Sequence, residues 1–178
     1  MKPIKQMSQA ELAAYIHDHL RKSGVDVVLS GGAAVGIYSN GEYVTKDIDF
    51  VNAGFAGQDK IEEAMAEIGF FPFGRHFEHP ESDHIVEFPP GPLQFGDGKV
   101  KVISEMEFET GILQIISPTD CIKDRLAHYF HWADRQCLAQ ALSVASKHKI
   151  DLDEVKEWSK SEGKLDEFNE ILNDLENY

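Results

Sequence analysis

The chain has 178 residues, of which 42% are apolar and 27% charged, and its formal net charge is −14. Ordinary globular usage excludes wholesale disorder, and the acid excess argues against a duplex-DNA partner held through phosphate contacts. No apolar run approaches the ~20 residues that cross a bilayer, and residues 1–10 lack the apolar stretch of a secretory signal, so a soluble, cytoplasmic protein without a membrane partner is expected.

In chain order, the first predicted helix opens at Ser8, whose spacing to Glu11 is that of a capping box. Leu12, Ile16 and Leu20 line one face and Gly24 ends it. Residues 25–29 read as a short β-branched strand that runs into Ser30-Gly31-Gly32 and a short helical stretch over 33–38. Residues 47–52 form a second strand, with Asp47, Asp49 and Val51 on one face and Ile48 and Phe50 on the other. A second amphipathic helix carries Ile61, Met65 and Ile68, with Gly69 beyond its end. Strand signals then recur at 70–77, 84–88, 100–103 and 112–116, separated by Pro, Gly and Asp clusters, which reads as a β–α–β start followed by a meander.

At Ser117 the character changes. Ser117 as N-cap, Pro118 at the first helical position and Asp120 near the positive end predict a helix running to about residue 147. Asp151 and Glu154 repeat the cap pattern, Gly163 breaks that helix, and Leu165, Phe168, Leu172 and Leu175 form the stripe of a closing one. The chain thus divides into an α/β part, 1–116, and a helical segment, 117–178, packed on it. On one continuous helix Cys121 and Cys137 would lie ~24 Å apart, which makes them buried free thiols rather than a disulfide. Charge is uneven: residues 151–178 account for half of the net −14, whereas 117–149 carry five Lys/Arg against three Asp, a local surface for an anionic ligand.

Four features bear on chemistry. Glycines at the strand–helix junction 29–34 let the backbone approach a ligand, and helix-start amides favour phosphate; a purely structural Gly-Gly turn uses the same residues. Asp47 and Asp49 project from one face of a strand, where two ionised carboxylates ~6 Å apart repel by roughly 3 kcal/mol at an effective dielectric of 20. A divalent cation would relieve that repulsion, as would solvent at an exposed strand end. Glu87, in an otherwise apolar strand, completes a three-carboxylate set, with Asp83 as the alternative. Finally, Asp124, His128, His131 and Arg135 form one helical stripe. A solvated polar face accounts for it, and so does a surface from which Lys123, His128 or Arg135 reaches nucleotide phosphates. His128 and His131 also have the i, i+3 spacing of a transition-metal pair, without an accompanying Cys or carboxylate triad.

The order of these motifs, Leu29-Ser30-Gly31-Gly32, then Thr45-Lys46-Asp47-Ile48-Asp49-Phe50-Val51, then a later acidic strand, resembles the nucleotidyltransferase superfamily with its polymerase-β-type palm. Within it the likeness, over residues 25–90, is to small bacterial proteins of abortive-infection and toxin–antitoxin systems. The resemblance implies an α+β fold, a mixed β-sheet with flanking helices, followed by a C-terminal helical segment. It implies transfer of a nucleoside monophosphate from an NTP to a hydroxyl acceptor, protein or RNA, with Mg²⁺ or Mn²⁺ held by Asp47, Asp49 and Glu87. Ser30, Gly31 and Gly32 would hold the triphosphate, assisted by Lys123, His128 and Arg135. Gly32 stands where many active relatives carry Ser. This departure supports an alternative expectation, a catalytically weak or inactive regulator that binds a partner, antitoxin-like. A protein partner or a homodimer would then form through the C-terminal helices.

Overall fold

A computed structural model of the chain describes residues 2–96, 98–100 and 102–177. The first helix, α1 (Gln9–Lys22), is held at its start by a complete capping box. The Glu11 N–H donates to Ser8 Oγ at 3.3 Å and the Ser8 N–H donates to Glu11 Oε2 at 2.7 Å. Its expected stripe of Leu12, Ile16 and Leu20 is fully buried against the sheet, and Gly24, at φ +70°, turns the chain into the first strand.

That strand, β1 (Val27–Ser30), is buried along its whole length because it is central. It leads directly into α2 (Gly31–Tyr38), then β2 (Asp47–Asn52), α3 (Gln58–Glu67), β3 (Phe71–Phe73), β4 (His76–Glu78), β5 (Ile85–Glu87), β6 (Gln94–Phe95), β7 (Gly98–Lys99), β8 (Ile103–Phe108) and β9 (Gly111–Ile116). Seven strands form one mixed sheet in the order β3-β4-β5-β2-β1-β9-β8, and β6-β7 form a separate small hairpin. β1 runs antiparallel to β2 and parallel to β9, and β2 runs parallel to β5.

Two strand expectations are corrected. The run at 70–77 is a hairpin, because Gly74 at φ +65° reverses the chain and pairs β3 with β4. The strand expected at 100–103 instead begins at Ile103 and extends to Phe108, paired along its length with β9. Its alternation of Ser104, Met106 and Phe108 with Ile103, Glu105 and Glu107 is the period of an edge strand.

The long helix expected from Ser117 is two helices. α4 (Pro118–Trp132) stops at Ala133, which adopts φ +54°, and Asp134 then caps α5 (Arg135–Ala145), its Oδ1 accepting from the Gln136 N–H at 2.9 Å and the Cys137 N–H at 3.2 Å. The break lets α5 fold back on α4, so the separation of Cys121 and Cys137 on one straight helix no longer applies; both thiols are buried and free. α6 (Leu152–Ser161) and α7 (Leu165–Asn177) follow, and Asp151 caps α6 by accepting from the Glu154 N–H at 2.9 Å. Side chains from both parts of the chain, Leu12 to Leu175, share one hydrophobic core. Among the described residues no helix is long and apolar enough to cross a membrane.

Candidate active site

The period of β2 sorts its side chains: Ile48 and Phe50 are buried in the core while Asp47 and Asp49 turn to the opposite face. The neighbouring strands place two further groups beside Asp49. Ser30 at the end of β1 is its antiparallel partner, and Glu87 at the end of β5 is its parallel partner. Directly paired residues project from the same face, so Asp47, Asp49 and Glu87 share one side of the sheet. Asp83, the alternative third acid, lies exposed in the bend before β5.

Burial first, and then the charges of Asp47, Glu87 and Asp124, push the Asp49 carboxyl up to about 6, against an opposing pull from Arg125. The carboxylates therefore act on one another through a partly desolvated space. Hard oxygen donors of this kind suit Mg²⁺ or Mn²⁺. Among the described residues, no three or more His, Cys, Asp or Glu side chains are gathered closely enough to hold a metal ion. The donor chemistry fits a divalent cation, and binding one requires the carboxylates to draw together.

Gly31 closes the site on the β1 side. It combines φ +67° with a position where a Cβ would come 2.3 Å from Asp49 Oδ2, so two independent constraints demand glycine. At Gly32 a Cβ would meet Tyr43 Cε1 at 3.1 Å and Thr45 Cγ2 at 3.2 Å. Two side chains of the segment leading into β2 thus crowd position 32 and would have to give by a few tenths of an ångström to admit a Cβ. Ser30 precedes α2 as N-cap without bonding to it through its side chain; its Oγ instead lies 3.5 Å from the Asp49 carbonyl oxygen.

The expected basic residues of the helical segment are placed differently. Lys123 is 4% exposed, its Nζ 2.6 Å from Asp120 Oδ1 and 2.7 Å from Glu154 Oε1, which ties α4 to α6. Burial alone would lower its pKa, but these two carboxylates outweigh burial and raise it. Lys123 is thus a structural ion, and its expected reach to phosphate is corrected. His128 is exposed, 3.0 Å from the carbonyl oxygen of Asp124 one turn back, with its ring against Trp132. His131 pairs with Glu162 at 3.3 Å, so the two histidines serve separate contacts. Arg135 is exposed at the start of α5, off the helix that was to align it with Asp124.

Arg125, which sequence reasoning passed over, and Asp124, which it placed only in the helical stripe, bear on the site instead. Asp124 and Arg125 act electrostatically on Asp49. Arg125 Nε donates to Asp124 Oδ2 at 3.1 Å and its guanidinium also donates to Gln140 Oε1 at 3.3 Å, which anchors it between α4 and α5. The signal was an adjacent acid and base, Asp124-Arg125, within a stretch whose neighbours Cys121, Ile122 and Leu126 are core residues.

By sequence the chain matches no family model and no curated protein. Its structure is similar to that of an antigenic nucleotidyltransferase-like protein from Paracoccidioides brasiliensis, with a TM-score of 0.66 at 13% identity over 98% of this chain and 95% of that one. It is also similar to the solution structure of the antibiotic-resistance factor ANT(2'')-Ia, with a TM-score of 0.50 at 15% identity over 91% of each chain. The likeness establishes a nucleotidyltransferase-like α+β fold for this chain.

Proposed function

We propose that the protein transfers a nucleoside monophosphate from an NTP to a hydroxyl acceptor on a protein or an RNA end. The observation that supports this reading is the shared sheet face of Asp47, Asp49 and Glu87, with Gly31 packed against the Asp49 carboxylate. Asp47, Asp49 and Glu87 are the residues that would hold Mg²⁺ or Mn²⁺. Such an ion, when bound, neutralises the triphosphate and acidifies the acceptor hydroxyl. The backbone amides at Gly31 and Gly32 offer hydrogen bonds to the triphosphate at the start of α2. The acceptor oxygen attacks the α-phosphorus in line, the bond to the bridging oxygen of the β-phosphate breaks, and pyrophosphate departs. Glu87 accepts the hydroxyl proton, directly or through water. Asp124 and Arg125 set the charge around Asp49 from the helical side.

The test is incubation with labelled NTPs, Mg²⁺ or Mn²⁺, and cell lysate. Labelling by the wild type and none by the Asp47→Asn/Asp49→Asn double variant supports the proposal. Equal labelling by the two overturns it.

The narrowed space at Gly32 favours a second reading, in which the fold serves a partner-binding regulator of the toxin–antitoxin kind. Capture of a partner that depends on residues 151–178 and ignores Asp49→Ala distinguishes this reading from catalysis.

A further inference from the structure

We propose that the outer edge of β8 is a docking site for an extended peptide segment whose residues alternate between basic and apolar. The inference is independent of the transferase reading.

β8 ends the sheet, so its outer row of backbone groups pairs with no other strand among the described residues. Six residues of regular strand make a long edge, and such an edge accepts a further strand through main-chain hydrogen bonds. The opposite edge, β3, has Pro72 at the centre of three residues, so one N–H is missing and Pro's ring disfavours a neighbour there.

Both faces beside β8 specify what an added strand would carry. On one, Glu105 and Glu107 are exposed, Glu109 continues the row beyond the strand, and no described cation pairs with them. On the other, Met106 and Phe108 line a hollow of about 550 Å³ shared with Ile37, Tyr43 and Val44, and Val44 is 78% exposed. A strand laid along β8 alternates its side chains between these faces, placing cations against the glutamates and apolar groups over the hollow. A second copy of β8 is the wrong occupant, because antiparallel self-pairing would set the two rows of glutamates against each other.

The experiment uses the full chain and a short fluorescein-labelled peptide of alternating lysine and valine, followed by anisotropy at low and high salt. The expected result is salt-sensitive binding, weakened about tenfold or more by Glu105→Lys/Glu107→Lys and also by Val44→Asp. Binding is retained by Glu170→Lys/Glu176→Lys, which changes the net charge equally but sits on α7. The same peptide with prolines in place of the valines does not bind, and amide exchange slows over 103–108 in the complex. Absence of binding, equal weakening by the α7 variant, binding of the proline peptide, or a wild-type dimer dissociated by Glu105→Lys/Glu107→Lys each overturns the proposal.

Discussion

Gly31 lies against the carboxylate of Asp49 so closely that a single added methyl group would come within 2.3 Å of Oδ2. Gly31→Ala therefore introduces a steric conflict on top of an unfavourable positive φ, and is expected to destabilise the protein by about 2 kcal/mol or more in urea unfolding. Asp49→Ala in the same background removes the conflict and leaves the strained φ. The double variant is expected to recover part of the loss, a coupling that a double-mutant cycle measures.

The raised pKa of Asp49 has a definite consequence for stability. An unfolded Asp titrates near ~3.9, whereas Asp49 in the fold titrates at about 6. As pH rises through this window the unfolded chain loses the proton first, so the folded state loses stability between about pH 4 and 6 and the loss is complete above it. Asp49→Asn is expected to flatten this slope and to be more stable than wild type at pH 7.5 by roughly 2 kcal/mol, read from urea melts at the two ends of the window. Glu87→Gln, which removes one of the repelling charges, is expected to lower the midpoint of the Asp49 carboxyl resonance.

Lys123 sits between Asp120 and Glu154 in the interior, so Lys123→Met strands the buried Asp120 carboxylate without its cation. A loss of about 3–5 kcal/mol is expected in thermal or chemical unfolding. Lys123→Met with Asp120→Leu removes both charges and is expected to be more stable than the single variant. A lysine serving nucleotide phosphate would show the opposite pattern, unchanged stability with weakened NTP binding.

Ala133 adopts a left-handed conformation at the junction of α4 and α5 without being glycine. Ala133→Gly is expected to stabilise the protein by about 0.5–1 kcal/mol, and Ala133→Val to destabilise it, as shifts of opposite sign in the unfolding midpoint.

Local patterns carried much of this architecture. The capping box at Ser8, the stripe of Leu12, Ile16 and Leu20, and the alternation that sets Asp47 and Asp49 apart from Ile48 and Phe50 depend on neighbours within a few residues. Glu87 needed one further step, the register that pairs it with Asp49. The fate of Lys123 was not legible, because its partner Glu154 lies on another helix and a basic residue in a helical pattern looks alike whether it meets solvent, phosphate or a carboxylate. Nor was the break at Ala133, since alanine is the strongest helix former and the Asp134 cap that follows it went unread. Arg125 was passed over for a related reason: its contact to Gln140 exists only once α5 packs on α4.

The parallel pairing of Leu29 with Ile115 joins the beginning of the sheet to a strand made much later. β1, β2 and β5 lie closer together in the chain than β1 and β9 do, so closing the flank beside β1 spans the longer separation. Loop closure over such a long separation is slow. β9 closes that flank and, through Ser117, leads into the helix that carries Asp124 and Arg125, so one long-range pairing joins the acidic face to the groups that act on it.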